Sequence, residues 1–157
     1  MLDTTSEAGA RTEERLRNEE IAWLTTVRPD GQPQSVPVWF LWDGEGFLAY
    51  SRPGARKLRN IEANPKINLN LNSNDNGGDV VGAECVAEVL ADAPPAAEVG
   101  LYLEKYREGI GRIGFDPGGF ARAYSVAHTG DPGALAGVVA AHTGPCVTRA
   151  PALSSYP

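Results

Sequence analysis

Histidine is scarce in this chain of 157 residues. There are two, His128 and His142, so the first 127 residues contain none, and that stretch holds one cysteine, Cys85. Without a histidine, residues 1–127 can form no Ser-His-Asp or Cys-His nucleophile pair and no His/Cys zinc site, so no metal ligand is assigned. If this body is an enzyme, something other than its own side chains carries the chemistry. Cys85 and Cys146 make no disulfide framework, and their isolation fits a reducing compartment. Positive charge is also in deficit: 14 Lys and Arg stand against 20 Asp and Glu, a formal charge of −6. Such a balance argues against the basic face that nucleic acid or an anionic membrane surface requires. No apolar run approaches the ~20 residues of a spanning helix. The polar N-terminus, with Asp3, Glu7, Arg11, Glu13 and Glu14, is unlike a signal peptide. The expectations are no nucleic-acid partner, no membrane insertion and a cytoplasmic location.

What is present is a run of short strands. A charged helix over residues 6–20, capped by Ser6, is expected to precede a strand from Ile21 to Val27. The turn Pro29-Asp30-Gly31 leads to a second strand from Gln34 to Trp42, and Asp43-Gly44-Glu45-Gly46 joins it to Phe47–Ser51. A short helix over 55–64 ends at Pro65, an alternating strand follows over 66–72, and a long one over 80–90. A helix from about Ala96 to Glu108 carries the packing stripe Val99, Leu101, Tyr102 and Tyr106. Short hairpin-linked strands with helices at one end indicate a mainly β fold with peripheral helices, most economically a small closed or partly closed barrel. The second strand is apolar on both faces, with Val36, Val38, Phe40 and Trp42 on one and Pro37, Trp39 and Leu41 on the other. One face fills the barrel; the other meets a second copy, a flat ligand or a covering helix.

The segment with chemical content is Tyr50 to Asn60. Arg52, Arg56, Lys57 and Arg59 lie within eight residues with no acid among them. Taking these four out of the 14 basic residues leaves 10 against 20 acidic ones, so the cluster reverses the local sign. It sits at a strand-to-helix turn, where free backbone N–H groups and the helix dipole favour an anion. Ser51 adds a hydroxyl and Lys57 a flexible point charge, which together suit a phosphate. The competing interpretation is a solvated basic face pairing with Glu62 or other surface acids. Cys85 is expected to be a small core residue, and His128 and His142, fourteen apart, to be exposed and unable to share a metal.

The stretches Val36-Pro37-Val38-Trp39-Phe40, Phe47-Leu48-Ala49-Tyr50-Ser51, Arg56-Lys57 and Asn60-Ile61-Glu62-Ala63-Asn64-Pro65 resemble the pyridoxamine 5′-phosphate oxidase-like split-barrel superfamily. Within it they look most like the actinobacterial branch of deazaflavin (coenzyme F420)-dependent reductases. Ala22–Pro33 and Tyr102-Leu103-Glu104-Lys105-Tyr106-Arg107 extend the likeness from about residue 14 to 126. The resemblance implies a homodimeric, FMN-binding-like Greek-key split barrel with a flavin or deazaflavin at the dimer interface. It implies that Val36, Pro37, Val38 and Trp39 lie along the ring system, that Tyr50 and Ser51 approach the cofactor, and that Arg56 and Lys57 hold its phosphate. The implied activity is hydride transfer between F420 and a small electron-poor organic substrate. The alternatives are an FMN-dependent oxidase or reductase of the same superfamily, or a non-catalytic deazaflavin- or flavin-binding protein. No catalytic side chain is assigned.

The resemblance stops near residue 128. From Ala123 to the end only Asp131 and Arg149 are charged. Where the family has a last barrel strand, this chain has His128-Thr129-Gly130-Asp131-Pro132-Gly133-Ala134-Leu135-Ala136. Written in GC-rich codons and read one nucleotide later, that peptide becomes Thr-Pro-Val-Thr-Pro-Ala-Arg-Trp-Arg, which is more like such a strand. The sequence therefore divides into a cofactor-binding barrel over 1–127, lacking its usual last strand, and an atypical tail over 128–157, frameshifted or disordered.

Overall fold

Short alternating strands dictate the architecture of the computed structural model, which describes residues 4–132 and 138–139. The elements run α1 (Glu7–Asn18), β1 (Ile21–Val27), β2 (Pro33–Trp42), β3 (Phe47–Ser51), α2 (Arg56–Ala63), β4 (Lys66–Asn70) and β5 (Gly82–Leu90). A 3-10 turn (Ala96–Glu98), α3 (Gly100–Arg112), α4 (Pro117–Ala123), β6 (Val126–Asp131) and β7 (Val138–Val139) follow. All pairings are antiparallel, in the order β4-β1-β2-β3-β6-β5, and β5 pairs back onto β4. The six strands therefore close into a barrel, the mainly β fold with peripheral helices that the sequence predicts.

Closure corrects one expectation. The last strand is present: β6 pairs with β3 from Phe47↔Gly130 to Ser51↔Val126 and with β5 from Val86↔Asp131 to Leu90↔Ala127. It crosses the boundary drawn at 127, so the barrel extends to Asp131. Backbone groups make the ladder, so a stretch poor in strand signals, such as Val126-Ala127-His128-Thr129-Gly130-Asp131, is recruited when two open edges flank it. Gly130 contributes its lack of a side chain. A β-carbon there would lie 2.1 Å from a ring carbon of Phe47, so the valine that the shifted frame places at 130 would have to displace that ring. The rest of the tail, 133–137 and 140–157 with His142 and Cys146, lies outside the described residues.

Alternation sorts the side chains. Ala22, Leu24, Phe40, Trp42, Phe47, Ala49, Ile67, Leu69, Ala83 and Cys85 fill the barrel, large residues facing small ones. The buried Thr26 hydroxyl accepts from Asn60 Nδ2 of α2 at 2.9 Å, which satisfies both polar groups and fixes α2 on β1. Helix α1, begun by Ser6 Oγ accepting from the Gly9 amide, is tied to the barrel by Trp42 Nε1 donating to Glu13 (2.8 Å) and by Arg11 on Asp79 (2.7 Å). No helix among the described residues is long and apolar enough to cross a membrane.

The two-faced strand β2 has a helical explanation for part of its outer face. Trp39 and Leu41 pack against a second cluster built from α3 and α4, with Tyr102, Tyr106, Ile110 and Phe120 at its centre. The Trp39 indole stacks on Tyr106 at 4.7 Å and 5°. Gly109 makes room for it, since a β-carbon there would meet Trp39 at 3.1 Å. Pro37 remains exposed.

Candidate functional site

Where β2 leaves the cover of α3 and α4, a cleft of about 240 Å³ opens. Pro37, Val38 and Trp39 form one wall, Tyr50 and Lys57 lie beside them, and Tyr102, Ile113, Phe120 and Tyr124 complete it. Helix α4 positions the last two aromatics, four residues apart on one helical face. It starts at Asp116, whose carboxylate accepts from the Gly119 amide at 2.8 Å, with Pro117 in the first turn. The rings share an orientation. Phe120 stacks on Tyr124 at 4.6 Å and 18° and on Trp39 at 5.5 Å and 24°, so the three rings form one continuous stack along the cleft. An aromatic border of this kind suits a flat, conjugated ligand.

The cationic end comes from α2. Its N-cap residue, Ala55, offers no side-chain cap, and its first turn holds no acid. Among the described residues Arg52, Arg56, Lys57 and Arg59 make no ion pair, so Glu62 does not neutralise the cluster. Lys57 reaches the cleft half-buried, and that burial holds its ammonium below the usual lysine range. An anion beside it would restore what desolvation removes. Arg52 lies over the Tyr124 ring, 5.0 Å from its centroid, at the same end.

The eight residues named from sequence divide. Pro37, Val38, Trp39, Tyr50 and Lys57 line the cleft. Val36 packs against the barrel core, and Arg56 is exposed on α2 outside the cleft lining. Tyr50 is spent as a donor: its hydroxyl bonds Pro94 O at 2.7 Å, and burial raises its pKa. Ser51 is 1% exposed and turns inward, its Oγ 3.0 Å from Nε2 of His128. His128 is 0% exposed, which overturns the expectation of an exposed side chain. The register explains the pair: His128 faces Ala49, two residues from Ser51, so the two are diagonal neighbours across β3 and β6.

Counting histidines in residues 1–127 therefore missed a serine–histidine contact that the fold creates. It is not a nucleophile pair. Among the described residues Nδ1 of His128 has no hydrogen-bond partner where a triad would place a carboxylate, and the serine is buried. No group of three or more potential metal ligands occurs among the described residues. Sequence reasoning also missed Tyr102, Phe120 and Tyr124. The Asp-Pro helix start and the aromatic spacing of α4 are legible signals, whereas Tyr102 looks like ordinary helix packing.

A protein-family model described as pyridoxamine 5′-phosphate oxidase matches residues 9–124. A pyridoxine/pyridoxamine 5′-phosphate oxidase of Rubrobacter xylanophilus is 45% identical over 47 residues, which are 29% of this chain and 22% of that enzyme. The match thus spans under a quarter of the curated relative's length. Among solved structures, an F420 reductase superposes with a TM-score of 0.59 at 28% identity, over 76% of this chain and 90% of that one. The heme storage protein HutZ of Vibrio cholerae superposes with a TM-score of 0.54 at 15% identity, over 93% of this chain and 97% of its own. The last likeness is one of fold alone.

Proposed function

This chain belongs to the pyridoxamine 5′-phosphate oxidase family, and from that premise we propose an oxidoreductase that transfers a hydride between a deazaflavin, coenzyme F420, and a small electron-poor organic substrate. The observation that carries the proposal is the cleft, where an aromatic stack borders a half-buried ammonium that makes no ion pair among the described residues. These features fit a flat ring with a phosphate-bearing tail. The likeness to an F420 reductase over 90% of that chain supports the deazaflavin.

Lys57 would hold the phosphate, and the β2 backbone from Pro37 to Trp39 would lie along the ring. Trp39, Phe120 and Tyr124 would exclude water around it. The cofactor supplies the hydride chemistry, and these residues bind and orient. Two copies of the chain are proposed to meet on the outer face of β1 and β2. There Trp23, 41% exposed, is paired in register with the exposed Pro37. The barrel, closed by β6, functions as one body in this proposal, in a cytoplasmic protein.

The second candidate cofactor is FMN, favoured by the family's oxidase members and by the 45% identical segment. Titration with oxidised and reduced F420 and, separately, with FMN decides between them. Saturable binding of F420 alone is the expected result, and binding of neither removes the oxidoreductase. Lys57→Ala is expected to weaken binding more than ~10-fold, because charge-assisted contacts are worth roughly 1.5–3 kcal/mol. An unchanged dissociation constant takes Lys57 out of the phosphate site.

A further inference from the structure

A second hollow, of about 380 Å³, shares no lining residue with the cleft. Leu41, Trp42 and Leu101 give it an apolar rim, Arg17 and Glu104 lie beside them, and Lys105 stands in it half-buried. The Lys105 Nζ donates to Phe40 O at 3.0 Å and to Leu16 O at 3.5 Å, and lies 4.1 Å from the centroid of the Phe40 ring. Among the described residues it forms no ion pair. One amine thus ties α1, β2 and α3 together at a single point. Burial pushes its ammonium down to about 8, against the opposing fields of Glu20 and Glu19. Loss of one proton leaves two N–H groups for the two carbonyls and a lone pair, which is what a nucleophilic lysine requires.

We propose that Lys105 is an acylation site, taking an acyl group from a small activated donor, an acyl phosphate or an acyl thioester. The lone pair of Nζ attacks the acyl carbonyl carbon. The bond from that carbon to phosphate oxygen or thiol sulfur breaks with its electron pair, and the proton lost from nitrogen goes to water or to the departing group. The apolar rim receives the acyl chain, and no cofactor takes part in the step. The product is an amide with one N–H and no charge. It caps one of the two carbonyls at most, and the charge over the Phe40 ring is gone. Acylation therefore loosens the point that pins α1, β2 and α3, one residue from the Trp39 wall of the cleft.

The chain has three lysines, Lys57, Lys66 and Lys105. The test treats the folded full chain at pH 7.5 with acetyl phosphate and, separately, with acetyl coenzyme A. Peptide mass spectrometry follows acetylation of Lys105 and of the exposed Lys66. Roughly a quarter of Lys105 is neutral at that pH, and its expected rate is about 10-fold that of Lys66 with at least one donor, which identifies the donor class. In unfolding urea the two rates are expected to converge. With Lys57→Arg and Lys66→Arg leaving Lys105 as the only lysine, the acetylated protein is expected to melt about 3 °C below its untreated counterpart. Three results overturn the proposal: equal labelling of Lys105 and Lys66 by both donors, a preference that survives unfolding, or unchanged melting after Lys105 is acetylated.

Discussion

Between pH 6.5 and pH 4 the protein is expected to lose about 3 kcal/mol of folding stability through one imidazole, His128. Burial first, and the charge of Lys57 second, push its pKa down from 6.5 to about 4. The unfolded chain takes up a proton near pH 6.5 that the folded chain refuses until about pH 4. Folding is therefore undisturbed above pH 6.5, weakens by about 1.4 kcal/mol per pH unit below it, and levels off below pH 4. Among the described residues the imidazolium finds no compensating acid, since Nδ1 has no hydrogen-bond partner and Nε2 meets the Ser51 hydroxyl. Denaturant titrations of the parent and His128→Asn at pH 7.5, 6 and 5 separate this group from the carboxylates. The stability difference between the two proteins should change by about 2 kcal/mol between pH 7.5 and 5, and parallel pH profiles would mean that His128 does not titrate this way.

Tyr106→Phe is expected to cost about 2–3 kcal/mol, a fall in melting temperature on the order of 8 °C. The β1–β2 ladder ends at Ile21↔Trp39, so Phe40, which lies in register with Ala49 of β3, has no strand partner on its β1 side. The Tyr106 hydroxyl replaces that partner. It accepts from Phe40 N at 2.8 Å and has its proton shared between Phe40 O (2.7 Å) and Glu20 O (2.8 Å). Lys105 Nζ also reaches Phe40 O at 3.0 Å, so the carbonyl keeps one donor after the substitution. The buried Phe40 N–H does not, and an unpaired buried donor carries most of the expected loss. A Tyr106→Phe protein that melts with the parent would place the fixing of α3 on β2 in the aromatic stacking alone. Loss of α3 docking would also loosen Trp39 and with it one wall of the cleft.

Elements with strong periodicity are legible in the amino-acid order itself. The inward-outward alternation of β1, β2 and β4, the Ser6 cap and the stop at Pro65 follow from side-chain chemistry within a few residues. The basic turn at 52–59 is legible for the same reason, because four cations in eight residues need no tertiary contact to be noticed. Strand β6 is not. Its pattern is weak, and its pairing is decided by two strands that precede it by about eighty and forty residues.

The scarcity of histidine illustrates the division. Composition alone establishes that residues 1–127 hold no imidazole of their own for catalysis or zinc. It does not establish that β6 brings His128 inside the barrel, against Ser51 and within reach of the Lys57 field. Local sequence determines which backbone conformations and which faces a segment prefers, through interactions a few residues long. Which polar atoms end up buried without partners among the described residues, as with Tyr102 Oη and His128 Nδ1, depends on atoms brought together from distant segments. Only closure of the barrel and docking of α3 and α4 decide that, because desolvation belongs to the packed whole and not to any one stretch of chain.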